Sequence, residues 1–429
     1  MKIIQVLLTL VITSFFFFPF YFTFLPNINT KMMMAALGGI LFLVKLAKNR
    51  SAQLDKDLFS ISLWAALVSF VSLISMVLNN TPDDSYLDYI VSMWVWLAAA
   101  YFMVNAIKFT HGTATVENVC IYLISVGVLQ CFLAIAIDTI PAIKMAVDSI
   151  LEGEGFMGKN KDRLYGLGCA LDVAGTRFSA LLVMIAFLLP KAAQKKKSEL
   201  YMGLLLTAFC ILTSIGSIIG RTTIVGTTLS LSYLFYTCLL KNNIPNAARI
   251  KLIHWFVGGM CTGIIIAVGL YTFSPQWQNY FHFGFEGFFS LVETGHWEVR
   301  SNNQLAPQFI FPDNTWTWLI GDGHMASTTI DPYYTGTTWI GFYKGTDVGY
   351  SRFIFYFGLI GLIIFSLFFV KVFLVCFSKI KAYKGMFTLF LLINFIVWLK
   401  VSTDIFLVFA PFLWLTESAN ENSQELLEL

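Results

Sequence analysis

The sequence predicts an all-α integral membrane protein: one polytopic domain over 1–429, about twelve transmembrane helices, both termini cytoplasmic. Three observations predict it. Only 12% of the 429 residues are charged, about half the usual share in soluble proteins, and mean hydropathy is +0.72. The apolar residues come in blocks that match the ~20-residue helix needed to cross a bilayer. Those blocks are apolar on every face, which excludes an outer-membrane barrel with its alternating strands. A net charge of +3 offers no surface for a polyanion, so nucleic acid is not expected as a partner.

In chain order, spans are expected at 3–25, 32–47, 58–78, 87–107, 119–140, 176–190, 200–219, 222–240, 252–273, 350–370, 386–400 and 403–416. The first is too long for a signal peptide and has no small-residue cleavage site after it. The seventh and eighth run together through Ile218, Gly220 and Arg221. Basic residues in short loops set the orientation. One set of connections holds Lys45, Lys48, Arg50 and Lys56, then Lys108, Lys191, Lys195, Lys196, Lys197, Lys241, Arg249, Lys251, Lys371, Lys379, Lys381 and Lys384. The alternate set holds Lys31, Arg221 and Lys400. The first side is therefore cytoplasmic, together with the tail 417–429.

The outward side carries two long segments, 141–175 and 274–349. The second runs to roughly 75 residues, far beyond the usual helix–helix connection, and long loops on a rigid scaffold carry function. In the first, Ile143, Val147, Ile150 and Leu151 follow helical spacing and predict a short surface helix. The Phe run 15–18 is the only low-complexity feature, and lipid-facing bulk explains most of the abundant Phe. Of the seven cysteines, only Cys169 falls in an outward loop, so no disulfide is expected there. Neither H-E-x-x-H nor paired C-x-x-C occurs, and no metal or cofactor is expected.

The sharpest signal is a split between lysine and arginine. Of seven arginines, Arg163, Arg177, Arg221, Arg300 and Arg352 lie on or just inside the outward face, against the positive-inside rule. A guanidinium at a span end needs a partner, and its fork suits phosphate. Snorkelling, or pairing with Asp172, Asp347 or Asp404, is one reading; a shared anion site in the outer leaflet is the other. The large loop is rich in Trp and Phe, most of them explained by the membrane interface. It offers His282, His296, His324, Glu293, Glu298, Asp313, Asp322, Asp331 and Asp347 as candidate bases, among which spacing alone does not choose. Lys400 and Asp404, four apart, are expected to pair with each other.

Four segments resemble the O-antigen polymerase and O-antigen ligase superfamily. Ser217-Ile-Ile-Gly-Arg221 is similar to that family's "S-R-(small)" turn entering a span. Arg300 followed by Trp316-Thr-Trp-Leu-Ile-Gly-Asp-Gly323 is similar to its loop pattern of an arginine, a spacer and an "fG-x-G" turn. Thr346-Asp-Val-Gly-Tyr-Ser-Arg-Phe-Ile-Phe-Tyr-Phe-Gly-Leu-Ile-Gly361 resembles the "D-x-G-Y … G-(L/I)-I-G" signature that follows the loop. Gly175-Thr-Arg-Phe-Ser-Ala resembles a weaker element at the start of span six. The likeness covers about 170–361. Asp347 stands where the ligase branch has a histidine, which tilts the reading toward polymerase.

The resemblance implies a metal-independent glycosyltransferase of the bacterial inner (plasma) membrane. It would join undecaprenyl-diphosphate-linked oligosaccharides at the outer leaflet, in contact with membrane lipid and with a chain-length regulator protein as partner. Arg221 and Arg300 would hold the diphosphate, and Asp347 would act as general base. Arg177, Arg352, Arg163, His324 and Tyr350 would bind substrate. Asp347 has a structural alternative, as partner of Arg352 one turn on, and Gly358 and Gly361 would permit close helix approach. A glycan ligase is the nearest alternative. A lipid-linked-oligosaccharide flippase is the second, disfavoured because the spans carry few ionisable residues except at their ends.

Overall fold

The computed structural model describes residues 2–48, 55–151, 163–195, 198–239, 245–330 and 340–415. Arg50, Lys196, Lys197, Lys241, Asp331 and the tail 417–429 lie outside the described residues. Helices α1 (Lys2–Phe17) and α2 (Thr30–Lys48) flank a hairpin of β1 (Tyr21–Phe22) and β2 (Leu25–Asn29). Then come α3 (Lys56–Asn79), α4 (Tyr89–His111), α5 (Val116–Thr139) and α6 (Pro141–Ile150). The middle of the chain forms α7 (Leu171–Gln194), α8 (Glu199–Ile219), α9 (Thr223–Leu239) and α10 (Asn246–Phe273). Four short helices follow: α11 (Pro275–Gly284), α12 (Glu286–Thr294), α13 (Arg300–Leu305) and α14 (Thr315–Ile320). A hairpin, β3 (Ala326–Ile330) with β4 (Ile340–Phe342), leads to α15 (Gly349–Lys379), α16 (Lys384–Val397) and α17 (Phe406–Leu413).

Eight of these helices are long and apolar enough to cross a membrane: α2, α3, α4, α5, α7, α8, α10 and α15. α1 and α9 are shorter apolar helices. The stretches expected at 386–400 and 403–416 form α16, of 14 residues, and α17, of 8. α6 begins with Pro141 at its first position, where a missing N–H costs nothing, and covers the helical spacing from Ile143 to Ile150. Local chemistry also starts α5, where the Thr115 hydroxyl accepts the Asn118 N–H at 3.1 Å.

α7 is the central post, with 94% of its apolar window buried. Small residues let its neighbours come close. A Cβ added to Gly226 of α9 would lie 2.1 Å from the Ser179 Cα, and one on Gly175 would lie 2.7 Å from the Gly220 carbonyl oxygen. The Ser179 hydroxyl donates to the Thr222 carbonyl at 2.9 Å and accepts the Gly226 N–H at 3.0 Å. In a membrane such close contacts and polar ties replace the hydrophobic drive as the source of helix association.

Two expectations are corrected. Phe16, Phe17 and Phe18 do not face lipid; all three are fully buried. α1 ends at Phe17, and the chain folds these rings inward, Phe16 against Trp96 at 5.7 Å and Phe18 against Phe178 at 5.8 Å. Much of the remaining Phe is likewise internal, in a cluster of Phe353, Phe357, Phe365, Phe368 and Phe369 with Trp398. Edge-to-face and stacked pairs of this kind add to the burial of each ring.

Gly358, expected to serve helix approach, does admit the backbone of α14, but at a break in α15 and not along a continuous helix face: its φ is +66°, with Phe357 also non-helical. The backbone of Leu319 sits where a Gly358 Cβ would be, 2.2 Å away. The break frees two carbonyls, and the loop after α14 takes them. Asp322 N–H donates to Phe355 at 2.6 Å and Gly323 N–H to Tyr356 at 3.1 Å. Helix breaks at buried positions need such outside partners.

Candidate functional site

Lysine ion pairs mark one end of the bundle. Lys195 meets Glu117 at 3.0 Å, Lys251 meets Glu199 at 2.9 Å, and Lys379 meets Asp55 and Asp57. The opposite end carries Arg163, Arg177, Arg221, Arg300 and Arg352, in two groups. The first is built on Phe283 of α11. The Arg221 guanidinium carbon lies 4.0 Å from the ring centroid and that of Arg163 lies 4.9 Å away. Arg221 also pairs with Glu286 at 2.6 Å. It occupies the α8–α9 turn, so the loop helices α11 and α12 are anchored to the bundle through it. Arg300, the first residue of α13, is exposed, yet it and Arg163 both act electrostatically on Arg221. Arg163 forms no ion pair among the described residues. Among the described residues, three guanidinium groups thus share one region with the ion-paired carboxylate of Glu286.

The second group lies around the first turns of α7 and α15. Asp172 receives Lys400 at 2.7 Å and the Thr222 hydroxyl on the same oxygen. Lys400 therefore does not pair with Asp404 as expected, because 401–405 is not helical and the four-residue spacing carries no contact. Arg177, one side-chain layer deeper, is 7% exposed, with its guanidinium carbon 5.6 Å from the Phe18 ring centroid. It forms no ion pair among the described residues, and its Nε has no hydrogen-bond partner. Lys31, 4.4 Å over the Trp96 ring, and Asp404 are its charged neighbours, and Asp404 acts on both through space. A buried guanidinium without a paired anion is a costly arrangement that an anionic ligand would relieve.

Asp347 sits at the entrance to α15. Its position is fixed by Gln308, which accepts the Asp347 N–H at 2.9 Å and, through its carbonyl, the Thr346 hydroxyl at 2.6 Å. Burial pushes its carboxyl up to about 6; Arg352 opposes the shift, Asp172 adds to it, and Lys400 opposes it. A carboxyl so placed is mostly ionised at neutral pH and basic enough to take a proton in a transition state.

Arg352 is spoken for. Its Nη1 donates to the Ser402 hydroxyl at 2.6 Å and lies 4.0 Å from Asp347. Its Nη2 donates to the Met325 carbonyl at 3.1 Å, and Phe342 lies 4.3 Å beneath its guanidinium carbon. The structural alternative weighed for Asp347 and Arg352 is thus present. Tyr350 is likewise internal: its hydroxyl donates to the Phe395 carbonyl at 3.0 Å. His324 stacks on Tyr343 at 5.1 Å, with its Nδ1 unpartnered among the described residues.

Sequence reasoning missed three supports. Glu286 is the counter-charge of Arg221, and Lys31 joins Arg177. Asp83 holds the loop after α14: its carboxylate accepts the N–H groups of Met325 and Ala326 at 2.7 and 3.1 Å. Burial works against its charge, but these bonds and those from Ser85 keep the carboxyl below its usual range. The Asp83-Asp84-Ser85 run after Pro82 was the only available signal. Among the described residues no cluster of His, Cys, Asp or Glu is arranged to hold a metal. Compared with protein-family models, curated proteins and solved structures, the chain matches none of them.

Proposed function

We propose that the chain is a polysaccharide polymerase of the bacterial inner membrane, joining repeat units carried on undecaprenyl diphosphate. The observation that carries this reading is the end of the bundle where Arg163, Arg221 and Arg300 share one field while Arg177 stays buried with no ion pair among the described residues. About twelve spans, both termini cytoplasmic and 274–349 outward belong to the same reading.

In the reaction, the acceptor sugar hydroxyl attacks the anomeric carbon of the donor glycan. The new C–O bond forms as the bond from that carbon to the phosphate oxygen breaks, and the lipid diphosphate leaves with the electron pair. Negative charge grows on the diphosphate, where fixed guanidinium donors stabilise it most. Asp347 takes the hydroxyl proton. Arg221 and Arg163 are the primary diphosphate ligands, Arg177 the deeper one, and Arg352 a positioning residue that orients Asp347.

Deleting the gene tests the reaction class. A polymerase mutant leaves a single repeat unit capped on its acceptor; long chains stranded on the carrier lipid would show a ligase instead. The arginine assignment has its own test. Arg221→Lys keeps the charge and loses the fork, so polymerisation should fall at least about tenfold at normal membrane levels. Full activity in both Arg221→Lys and Arg163→Lys would overturn the diphosphate site.

A further inference from the structure

We infer that the slot between α8, α9 and α10 holds the hydrocarbon chain of a polyisoprenyl diphosphate; this rests on the diphosphate reading above. The slot has a volume of about 630 Å³, with walls that include Thr213, Leu231, Ile264 and Val268. Its roof is Phe281 and Phe285, from α11 and the α11–α12 junction. The same two short helices carry Phe283, on which Arg163 and Arg221 lie, and Glu286, which pairs with Arg221. One small substructure is therefore the ceiling of an apolar slot and the floor of a cationic site.

The shape suits a chain rather than a compact ligand. Met260 to Tyr271 of α10 line the slot, about 17 Å at 1.5 Å per residue, or roughly half the hydrocarbon core. It is open sideways, because the apolar window of α10 has no buried residue. α10 touches α8 through small residues: a Cβ on Gly263 would lie 3.3 Å from the Cys210 sulfur, and one on Gly259 3.5 Å from the Leu206 Cβ. A second cavity of about 600 Å³, lined by Thr207, Trp255 and Gly258 among others, lies beside it. The first is assigned because its roof includes Phe285 and its wall includes Thr227 of α9, the helix that Arg221 precedes. A zwitterionic lipid would set its ammonium group among guanidinium groups, whereas a lipid diphosphate satisfies both halves.

The test uses the full chain in phosphatidylcholine nanodiscs, with binding of farnesyl diphosphate and of inorganic pyrophosphate measured side by side. Thr213→Phe fills the slot, and Thr207→Phe, on the same helix, fills the neighbouring cavity. Membrane partitioning of the probe is common to all variants, so their ratio reports the slot alone. Thr213→Phe should weaken farnesyl diphosphate at least about fivefold and leave pyrophosphate within about twofold, while Thr207→Phe leaves both unchanged. Ile264→Trp, at a 56% exposed rim position, repeats the first result if Thr213→Phe fails to fold.

Unchanged farnesyl diphosphate binding in a folded slot-filling variant overturns the chain site and leaves the diphosphate reading intact. Displacement of farnesyl diphosphate by phosphatidylglycerol at equal concentration also overturns it, since the slot would then take any acidic lipid. If neither pyrophosphate nor farnesyl diphosphate binds, the diphosphate reading falls and the chain site with it.

Discussion

α7 and α10 have the same mean hydropathy over their apolar windows, yet 94% of one window is buried inside the protein and 0% of the other. Hydropathy sorts a helix from water; it does not say whether the helix will face protein or lipid. The distinction lies in what the small and polar residues do. In α7, Gly175 and Ser179 meet the backbone of α9 and the turn before it, and the Ser179 hydroxyl is used twice. In α10, a Cβ on Gly258 or Gly269 would meet nothing within 4 Å. The glycines of α7 and α9 sit against backbone, whereas those of α10 meet open space at Gly258 and Gly269 and only side chains at Gly259 and Gly263.

The most severe way to break this comparison is the same substitution on each side. Gly226→Ala drives a methyl group into the Ser179 backbone, 2.1 Å from its Cα, and neither α7 nor α9 can yield without losing the Ser179 bonds. We expect it to cost about 3 kcal/mol or more and to lower the yield of folded protein in detergent. Gly269→Ala should be neutral or stabilising by about 0.5–1 kcal/mol through helix propensity. Thermal unfolding of the two purified variants measures both; equal losses would mean that α10 is a packed helix.

A second test separates the charges gathered at the arginine end. Arg352→Met leaves Asp347 half-buried without its guanidinium and removes the donors to Ser402 and Met325, at an expected cost of about 3 kcal/mol. Arg177→Met removes a buried charge that forms no ion pair among the described residues, so stability should hold or rise while the proposed polymerisation is lost. If Arg177→Met unfolds the protein as Arg352→Met does, Arg177 is structural.

These tests bear on residues that differ in how visible they were beforehand. The apolar blocks and the segregation of arginine from lysine were legible because composition and charge act over whole helices. α6 was legible because its spacing is local. The break at Gly358 was not, since a Gly-x-x-Gly stretch in an apolar run reads equally as a packing face; only the arrival of Leu319 tells them apart. Glu286 as the partner of Arg221, and Asp172 as the partner of Lys400, depend on contacts across 65 and 228 positions. Four-residue spacing favoured Asp404 for Lys400 on the assumption of a helix that the chain does not form there. The site arginines were therefore legible as a class, and their division into held and unheld members was not.

A smaller effect extends the comparison to pH. α7 reaches the site through Asp172 in its first turn, whose charge adds to burial in raising the Asp347 carboxyl to about 6. Activity that needs ionised Asp347 should fall as pH drops through about 6. Asp172→Asn removes a like charge and should move that limb to lower pH, whereas Tyr271→Phe in α10 should leave it in place. Stability runs the other way at this group. The folded carboxyl binds its proton more readily than the unfolded one, so its contribution improves as pH falls through about 6 toward the ordinary carboxyl value of 3.8. pH–rate profiles of the three proteins decide it; an unmoved limb in Asp172→Asn would detach α7 from the chemistry.

At the lysine end the two helices look alike, and the smallest effects should still tell them apart. Lys195, just past the end of α7, pairs with Glu117, and Lys251, near the start of α10, pairs with Glu199 while also donating to the Ser198 hydroxyl at 3.1 Å. Both pairs are largely exposed and neither should move the global unfolding temperature. α7 is held along its whole length by buried contacts, so Glu117→Gln should leave its amide exchange unchanged. Among the described residues α10 buries only Ala248 and Leu252, so Glu199→Gln should speed exchange in its first turns by up to about fivefold at low salt, and less at high salt. Faster exchange along α7 in Glu117→Gln would show that its burial does not hold it, and the contrast between the two helices would fail where it is most finely drawn.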